Sequence, residues 1–264
     1  MSRRRLLLAL ASTLLVLAPQ GASASWILYL SGHLGTSSGT TEISGSSDLA
    51  NRAFVGSYAD SSPLIAAAFG VAIPLDESTA WELPYDLRLP TWPLRFEVEM
   101  TGLRAFEGIT NGPTLQSRNF GGTDTWTLMF DAWQGLPMSG LSRPLSWLPG
   151  RTPRFVTQTL DRSHFYAGGG IGVVGMSFLF TDNTHFASAD DVQFGWQAGA
   201  GFEYALTSVV MLDLGYRYTD FGSVETRYRG VATNVDHGPF SVAQSSHEFR
   251  GGLRVQFWGF QPWR

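Results

Sequence analysis

Apolar and polar residues alternate along several stretches of the chain, in the period-two pattern of β-strands. In residues 94–100 (LRFEVEM), Leu, Phe, Val and Met occupy one face, and Arg and Glu occupy the other. Each stretch is about as long as a tilted strand that crosses a bilayer. The eight predicted strands are residues 26–35, 64–75, 94–103, 125–133, 165–174, 193–204, 209–219 and 247–257.

The charged residues of these strands all fall on the face opposite the apolar row. In a membrane barrel that face lines the lumen, where an unpaired charge is costly. The near balance of acidic and basic groups therefore predicts mutual pairing. This predicted lumen charge network consists of Arg95, Glu97, Glu99, Asp131, Glu203, Asp213, Arg217, Glu248, Arg250 and Arg254.

Composition favours a closed sheet in lipid over a soluble secreted enzyme. The chain has no cysteine, 30 glycines and 13% aromatic residues, and only 15% of its residues are charged, against about 25% in typical soluble domains. Aromatic residues cluster at strand ends on the apolar face, as in the aromatic girdles of outer-membrane barrels. A net charge of −4 argues against nucleic acid as a partner.

The first residues have the features of a secretory signal. Arg3, Arg4 and Arg5 precede an apolar stretch over residues 6–18, and the small-residue triplet 22–24 (ASA) follows. We predict a signal peptide over residues 1–24 with cleavage after Ala24, a barrel domain over 25–257 and a short tail over 258–264. An exported barrel of this kind belongs in the bacterial outer membrane.

The fold class that follows is all-β: an eight-stranded antiparallel up-and-down transmembrane barrel. With the amino terminus in the periplasm, the predicted outer loops are residues 36–63, 104–124, 175–192 and 220–246, and the long inner connections are 76–93 and 134–164. Residues 154–160 (RFVTQTL) also alternate, and paired with part of 134–148 they would make a barrel of ten strands. That alternative stays open at this point.

The strand patterns resemble those of a known family, the small outer-membrane β-barrel proteins of the opacity-protein and OmpA-like type. The similar segments are residues 26–32 (WILYLSG), 165–172 (FYAGGGIG), 194–201 (FGWQAGAG) and 212–218 (LDLGYRY). The resemblance implies eight strands, a lumen filled by side chains, and roles in envelope integrity, adhesion or slow solute passage. It also implies that Leu253, Val255 and Phe257 form the signal read by the barrel-assembly machinery, after delivery by periplasmic chaperones, although residues 258–264 continue beyond that signal.

Three functional hypotheses follow. An eight-stranded barrel is only wide enough for its own side chains, so we expect a non-enzymatic envelope protein with an adhesin-like surface role, in contact with lipopolysaccharide and with a possible host ligand at the outer loops. A narrow porin-like channel is the first alternative. A lipid A-modifying hydrolase is the second, and it would need a serine beside a histidine such as His237 or His247. The sequence has no metal-ligand spacing and no cofactor motif, so we expect no cofactor and no metal.

Overall fold

A computed structural model of the chain describes residues 26–47, 52–73, 82–83, 87–88, 94–111, 118–138, 159–160, 162–181 and 184–260. The predicted signal peptide lies outside the described residues, as do residues 154–158 of the possible extra strand. No helix in the described part of the chain is long and apolar enough to cross a membrane.

Eight long antiparallel strands close into one barrel, which confirms the predicted fold class. Within the described ranges the ring runs β1-β10-β9-β8-β7-β6-β5-β2, and a separate ladder pairs the short strands β3 and β4. The strands are β1 (Trp26–Ser47), β2 (Arg52–Ile73), β3 (Glu82–Leu83), β4 (Leu87–Arg88), β5 (Leu94–Asn111), β6 (Arg118–Pro137), β7 (Ser163–Thr181), β8 (His185–Ala205), β9 (Val210–Gly230) and β10 (Asp236–Phe260). We call the end where β1 begins and β10 ends the inner end, and the opposite end the outer end.

The prediction of long outer loops is wrong. The barrel strands are 18 to 25 residues long, about twice the predicted length, because most of each predicted outer loop continues the strand beside it. Only residues 48–51, 112–117, 182–184 and 231–235 separate the strands at the outer end. The barrel is therefore tall, and its outer half is built from β-structure.

The polarity of the wall inverts along the strands. In the inner half the outward side chains are apolar, such as Leu34 at 66% exposure and Ile171 at 58%, and the inward ones are charged. In the outer half the outward residues of β1 are Thr36, Ser38 and Thr40, and apolar side chains turn inward. An apolar outer surface suits lipid and a polar one suits water, so the membrane surrounds the inner half and water surrounds the outer half.

The inward apolar residues of the outer half form two buried clusters. The middle cluster lies next to the charged lumen residues and consists of Phe106, Met129, Val174, Met176, Phe221 and Val224. The outer cluster lies beyond it and consists of Ile43, Tyr58, Phe178, Phe180, Ala187, Tyr228, Phe240 and Val242. The alternation predicted for the membrane strands therefore continues beyond the membrane, but there the apolar residues face the interior instead of the surroundings.

The backbone ladder is interrupted at two opposite places in the outer half. The described ladder between β2 and β5 runs from the residue pair Ile65–Gly102 to the residue pair Ile73–Leu94 and no further. Beyond this ladder, towards the outer end, Ser62 Oγ accepts a hydrogen bond from the Ala105 amide at 2.9 Å and donates one to the Leu103 carbonyl at 3.1 Å.

The second interruption separates β8 from β9. The described ladder stops at Trp196–Asp220 and resumes at Phe186–Arg229. Between these pairs Gln193 Nε2 donates to the Phe221 carbonyl at 2.6 Å, and Thr226 Oγ1 donates to the Ser188 carbonyl at 2.8 Å. The outer half is therefore two four-stranded sheets, β2-β1-β10-β9 and β5-β6-β7-β8, packed over the apolar clusters. Side chains join them at both interruptions, and the outermost pairs of β8 and β9 join them through the backbone.

The last strand extends past residue 257, the predicted end of the barrel domain. Strand β10 continues to Phe260, and Trp258 pairs with Leu28 while Gln256 pairs with Tyr29. A bulge at residue 257 inserts one extra residue, and pairing resumes beyond it. Residues 258–260 are therefore strand and not tail.

We predict that a charge destabilises the barrel strongly at one phenylalanine of β6 and only weakly at another. Phe130 and Phe120 both point outward from β6, at 41% and 45% exposure, but Phe130 lies in the lipid-facing band and Phe120 in the water-facing half. Phe130→Arg should lower the free energy of unfolding by about 2 to 4 kcal/mol, and Phe120→Arg by less than about 0.5 kcal/mol. Urea unfolding in lipid vesicles measures both, and equal losses would contradict the assigned boundary.

Candidate functional site

All ten residues of the predicted lumen charge network are buried inside the barrel, each at 5% exposure or less. They come from β5, β6, β8, β9 and β10, so residues far apart in sequence meet across the lumen. Each lies on the inward face because it alternates with the outward apolar row of its strand. Together with Arg104 and His33, they form what we call the charged plug.

Arg217 lies at the centre of the plug. Its guanidinium group is 2.8 Å from the Glu99 carboxylate, 3.3 Å from that of Glu97 and 3.6 Å from that of Asp131. Arg250 donates two hydrogen bonds to Glu99, at 2.7 and 2.9 Å. Buried charges are tolerated when they are paired and hydrogen-bonded in this way.

Two further groups of ion pairs flank this centre. Towards the inner end, Glu203 bridges Arg95 and Arg254, the latter at 2.7 Å. Towards the middle cluster, Arg104 Nη2 lies 2.6 Å from Glu248. The charged plug therefore extends through the membrane-spanning half of the lumen.

Aromatic side chains complete the plug. Tyr29 and Trp133 each donate a hydrogen bond to Glu97, at 2.9 and 2.7 Å, and Tyr166 donates one to Asp213 at 2.7 Å. The guanidinium carbon of Arg217 is 4.5 Å from the centre of the Trp133 ring, within cation–π distance. These rings fill space between the ion pairs; Trp133 shares Glu97 Oε1 with Arg217, and Tyr29 binds the other oxygen, Oε2.

Glycines leave room for these side chains. A Cβ atom at Gly170 would collide with the Asp131 carboxylate, and one at Gly201 would collide with the Tyr166 ring. Glycines therefore occupy the wall where large side chains of the charged plug lie against it.

Three carboxylates of the plug are close enough to hold a cation. Ligand atoms of Glu97, Glu99 and Asp131 lie within 4.8 Å of one another. The guanidinium group of Arg217 already lies among them, so an arginine supplies the positive charge that a metal ion would supply.

Sequence reasoning missed several members of the plug. Arg104 fell in a predicted outer loop, but a register shift between Thr101 and Arg104, with Leu103 at φ 62°, turns its side chain inward. Tyr29, Trp133 and Tyr166 were not assigned to the lumen. For Trp133 the signal was available, since it shares its face with Asp131 two residues earlier.

The histidines considered for catalysis do not meet a serine through the contacts that the structure records for them. His247 points outward, and its Nδ1 is 2.7 Å from the Tyr216 hydroxyl. Ser246 points into the lumen, where its hydroxyl donates to Glu248 at 3.2 Å. Neighbouring strand residues face opposite sides, which keeps His247 and Ser246 apart.

We predict that the charged plug depends on Arg217. Replacing Arg217 with Leu leaves Glu97, Glu99 and Asp131 short of one positive charge and should destabilise the barrel by about 3 to 5 kcal/mol. Arg227→Leu is the matched control, because Arg227 is an arginine of the same strand with its side chain 65% exposed. Urea unfolding and the heat-modifiable shift on electrophoresis report the result; the prediction fails if both variants behave like the wild type.

Comparison with known proteins agrees with the fold. Residues 152–255 match the family model described as outer membrane protein beta-barrel domain. No curated protein matches the chain. Among solved structures, Neisserial surface protein A is 16% identical with a TM-score of 0.35, covering 87% of this chain and 97% of its own.

Two other solved structures are similar over most of their length. The outer membrane protease OmpT from Escherichia coli is 9% identical, with a TM-score of 0.47 and coverage of 88% of this chain and 97% of its own. The outer membrane protein OprG from Pseudomonas aeruginosa is 14% identical, with a TM-score of 0.40 and coverage of 90% and 98%. The family match over residues 152–255, the closed ring of the described strands and the lipid-facing wall together identify an eight-stranded β-barrel protein of the bacterial outer membrane.

Proposed function

We propose that this protein is a non-enzymatic, non-conducting barrel that stabilises the outer membrane and presents a rigid β-structured head for surface contact. The observation that carries the proposal is a lumen filled from the inner half to the outer half. The charged plug occupies the membrane-spanning part, and the middle and outer clusters occupy the rest.

The filling argues against a porin-like channel. An ion moving along the lumen would first have to break the ion pairs of Arg217 and Arg250 with Glu99. It would then meet the middle and outer clusters, where Phe106, Phe180 and Phe240 are at most 1% exposed. Dehydrating an ion between aromatic side chains is unfavourable, so the apolar clusters would block passage even if the charged plug rearranged.

The outer half supports the surface-contact role. Its outward face carries three exposed apolar side chains on adjacent strands, Ile109 at 63%, Phe120 at 45% and Leu179 at 51%. Ile109 and Phe120 are direct cross-strand partners. Exposed apolar groups that cluster on a water-facing surface mark sites of protein contact, so we place the adhesin-like contact on this sheet face and not on flexible loops.

A lipid A-modifying hydrolase remains the less favoured alternative. It requires a serine within hydrogen-bond reach of an oriented histidine. The hydroxyl that meets His247 Nδ1, at 2.7 Å, belongs to Tyr216 and not to a serine. This arrangement supports the non-enzymatic proposal.

Conductance tests the proposal directly. We expect the purified protein to give no single-channel steps in planar bilayers. The variant Glu99→Ala/Arg250→Ala, which opens space in the charged plug, should stay silent because the middle and outer clusters remain closed. A known open porin is the positive control, and reproducible steps from the wild type would overturn the proposal in favour of a narrow channel.

The last strand suggests how the barrel meets its assembly partners. Leu253, Val255 and Phe257 point outward at 48%, 41% and 49% exposure, an alternating row that we propose the barrel-assembly machinery reads after periplasmic chaperones deliver the chain. Phe257→Ala should slow assembly in cells, measured by pulse-chase of the folded form. Phe249→Ala, an outward phenylalanine of the same strand at 60% exposure, should assemble at the wild-type rate; equal rates for both variants would count against this signal.

A further inference from the structure

Two histidines meet at the outer end of the barrel. His185 is the first residue of β8 and His237 is the second residue of β10. Their ring centres are 5.1 Å apart and their ring planes are inclined by 79°. The last residue of β9, Gly230, pairs with His185 and lies between the two strands. The histidines are far apart in sequence, so no spacing motif marks them as a pair.

The His185 ring has a defined position. It stacks on Tyr228 of the outer cluster, with ring centres 5.1 Å apart and planes inclined by 23°, and Tyr228 in turn stacks on Phe240. His185 Nδ1 lies 2.9 Å from the Thr184 hydroxyl. When Nδ1 carries the hydrogen and donates it to that hydroxyl, Nε2 presents the lone pair. Contacts of this kind orient imidazoles that bind metal ions.

Both imidazoles border the space next to Gly230. A Cβ atom at Gly230 would lie 3.4 Å from His237 Nε2 and 3.9 Å from His185 Cδ2, which is the carbon bonded to Nε2. The Thr233 hydroxyl would lie 2.5 Å from the same point. A larger residue at position 230 would fill this space. Glycine therefore leaves room where the two histidine side chains and a hydroxyl converge.

The spacing of the rings suits a shared metal ion. Such an ion lies about 2.0 to 2.1 Å from an imidazole nitrogen, and so about 3.2 Å from the ring centre. Two imidazoles at a tetrahedral angle on one ion therefore have ring centres about 5 Å apart. The observed separation of 5.1 Å matches this value, whereas aromatic rings that only pack span a wider range, about 4.5 to 7 Å.

We propose that His185 and His237 bind one divalent transition-metal ion of the class that prefers imidazole, namely Cu²⁺, Ni²⁺ or Zn²⁺. Neutral nitrogen ligands favour these ions over Mg²⁺ and Ca²⁺, which prefer oxygen ligands. The Thr233 side chain is exposed, so the site opens to water, and water completes the coordination.

The ion would link the two sheets of the outer half. His185 belongs to the sheet β5-β6-β7-β8, and His237 belongs to the sheet β2-β1-β10-β9. Beyond the second interruption, the described ladder holds β8 to β9 only through the pairs His185–Gly230 and Phe186–Arg229. An ion that binds the folded state stabilises it by mass action. This role goes beyond the proposed scaffold function, because a closed, non-conducting barrel need not bind a metal ion.

Isothermal titration calorimetry of the full, untagged chain in detergent tests the site, with NiCl₂, CuCl₂ and CaCl₂ as the probes. We expect one Ni²⁺ or Cu²⁺ ion per chain, Cu²⁺ to bind more tightly than Ni²⁺, and no binding of Ca²⁺. Heat-modifiable mobility checks that each variant is folded.

Three variants and one control separate metal binding from packing. His237→Ala removes one ligand, and His185→Phe keeps a ring on Tyr228 but has no ligand nitrogen. Gly230→Ala retains both histidines and fills the space between them. Each should weaken Ni²⁺ binding by at least about tenfold. His247→Ala is the matched control, because the His247 ring lies against Tyr216, away from the outer end, and it should bind Ni²⁺ like the wild type.

Hydrogen exchange tests the link between the sheets. Saturating Ni²⁺ should slow exchange of the amides of residues 187–195, in the interrupted part of β8, in the wild type and in His247→Ala. It should have no effect in His237→Ala, where packing alone remains.

The site would be overturned if His237→Ala bound Ni²⁺ as tightly as the wild type, or if Ca²⁺ bound as tightly as Ni²⁺. Unchanged exchange in the saturated wild type would overturn the link between the sheets. If His185→Phe or Gly230→Ala does not fold, His237→Ala decides the question. None of these measurements depends on conductance, so failure of this site and failure of the scaffold proposal are distinguishable.

Discussion

A strand in lipid must satisfy every backbone N–H and C=O group within the protein, and a closed ring of strands is the β-structure that does so. Here β1 pairs with both β2 and β10, and that closure determines the remaining features of the membrane half. With eight strands the ring has a fixed and narrow radius. The interior is therefore a space that the protein's own side chains must fill, and the plug residues and the glycines opposite them are the consequence.

Filling this space with charges has a cost and a benefit. Each buried carboxylate loses its hydration, and the arginines and aromatic donors around it offset that loss. An apolar interior would make the strands apolar on both faces, and a slip of one residue in register would then carry little penalty. With Glu97, Glu99 and Arg217 facing inward, the same slip would turn charges towards lipid, so the charged plug strongly specifies the register.

In the outer half, the polarity of the outward residues also matches the surrounding solvent, which is water. Once water replaces lipid outside, the outward residues become polar and the apolar residues move inside. Side chains such as Phe180, Tyr228 and Phe240 pack as the core of two facing sheets, and the ladder is broken between β2 and β5 and between β8 and β9. The outer half is consequently a sandwich of two sheets that continues the barrel, and the proposed contact surface lies on one of these sheets.

Much of the membrane half could be predicted from the sequence, because alternation, strand length and strand count are local properties. The faces of Glu97 and Arg217 followed from period two alone, and the outer-membrane location followed from the predicted export signal and the apolar row. The outer half could not be predicted from length alone, since a bilayer limits only the strand segment inside it, and small polar residues such as Ser38 and Thr40 also suit a loop. Which arginine meets which carboxylate, and the inward turn of Arg104 after the bulge at Leu103, depend on residues brought together across the ring. The sequence by itself determined which charged residues of the predicted strands face the lumen; only the closed tertiary structure decided what each of them contacts there, because those contacts join strands that are distant along the chain.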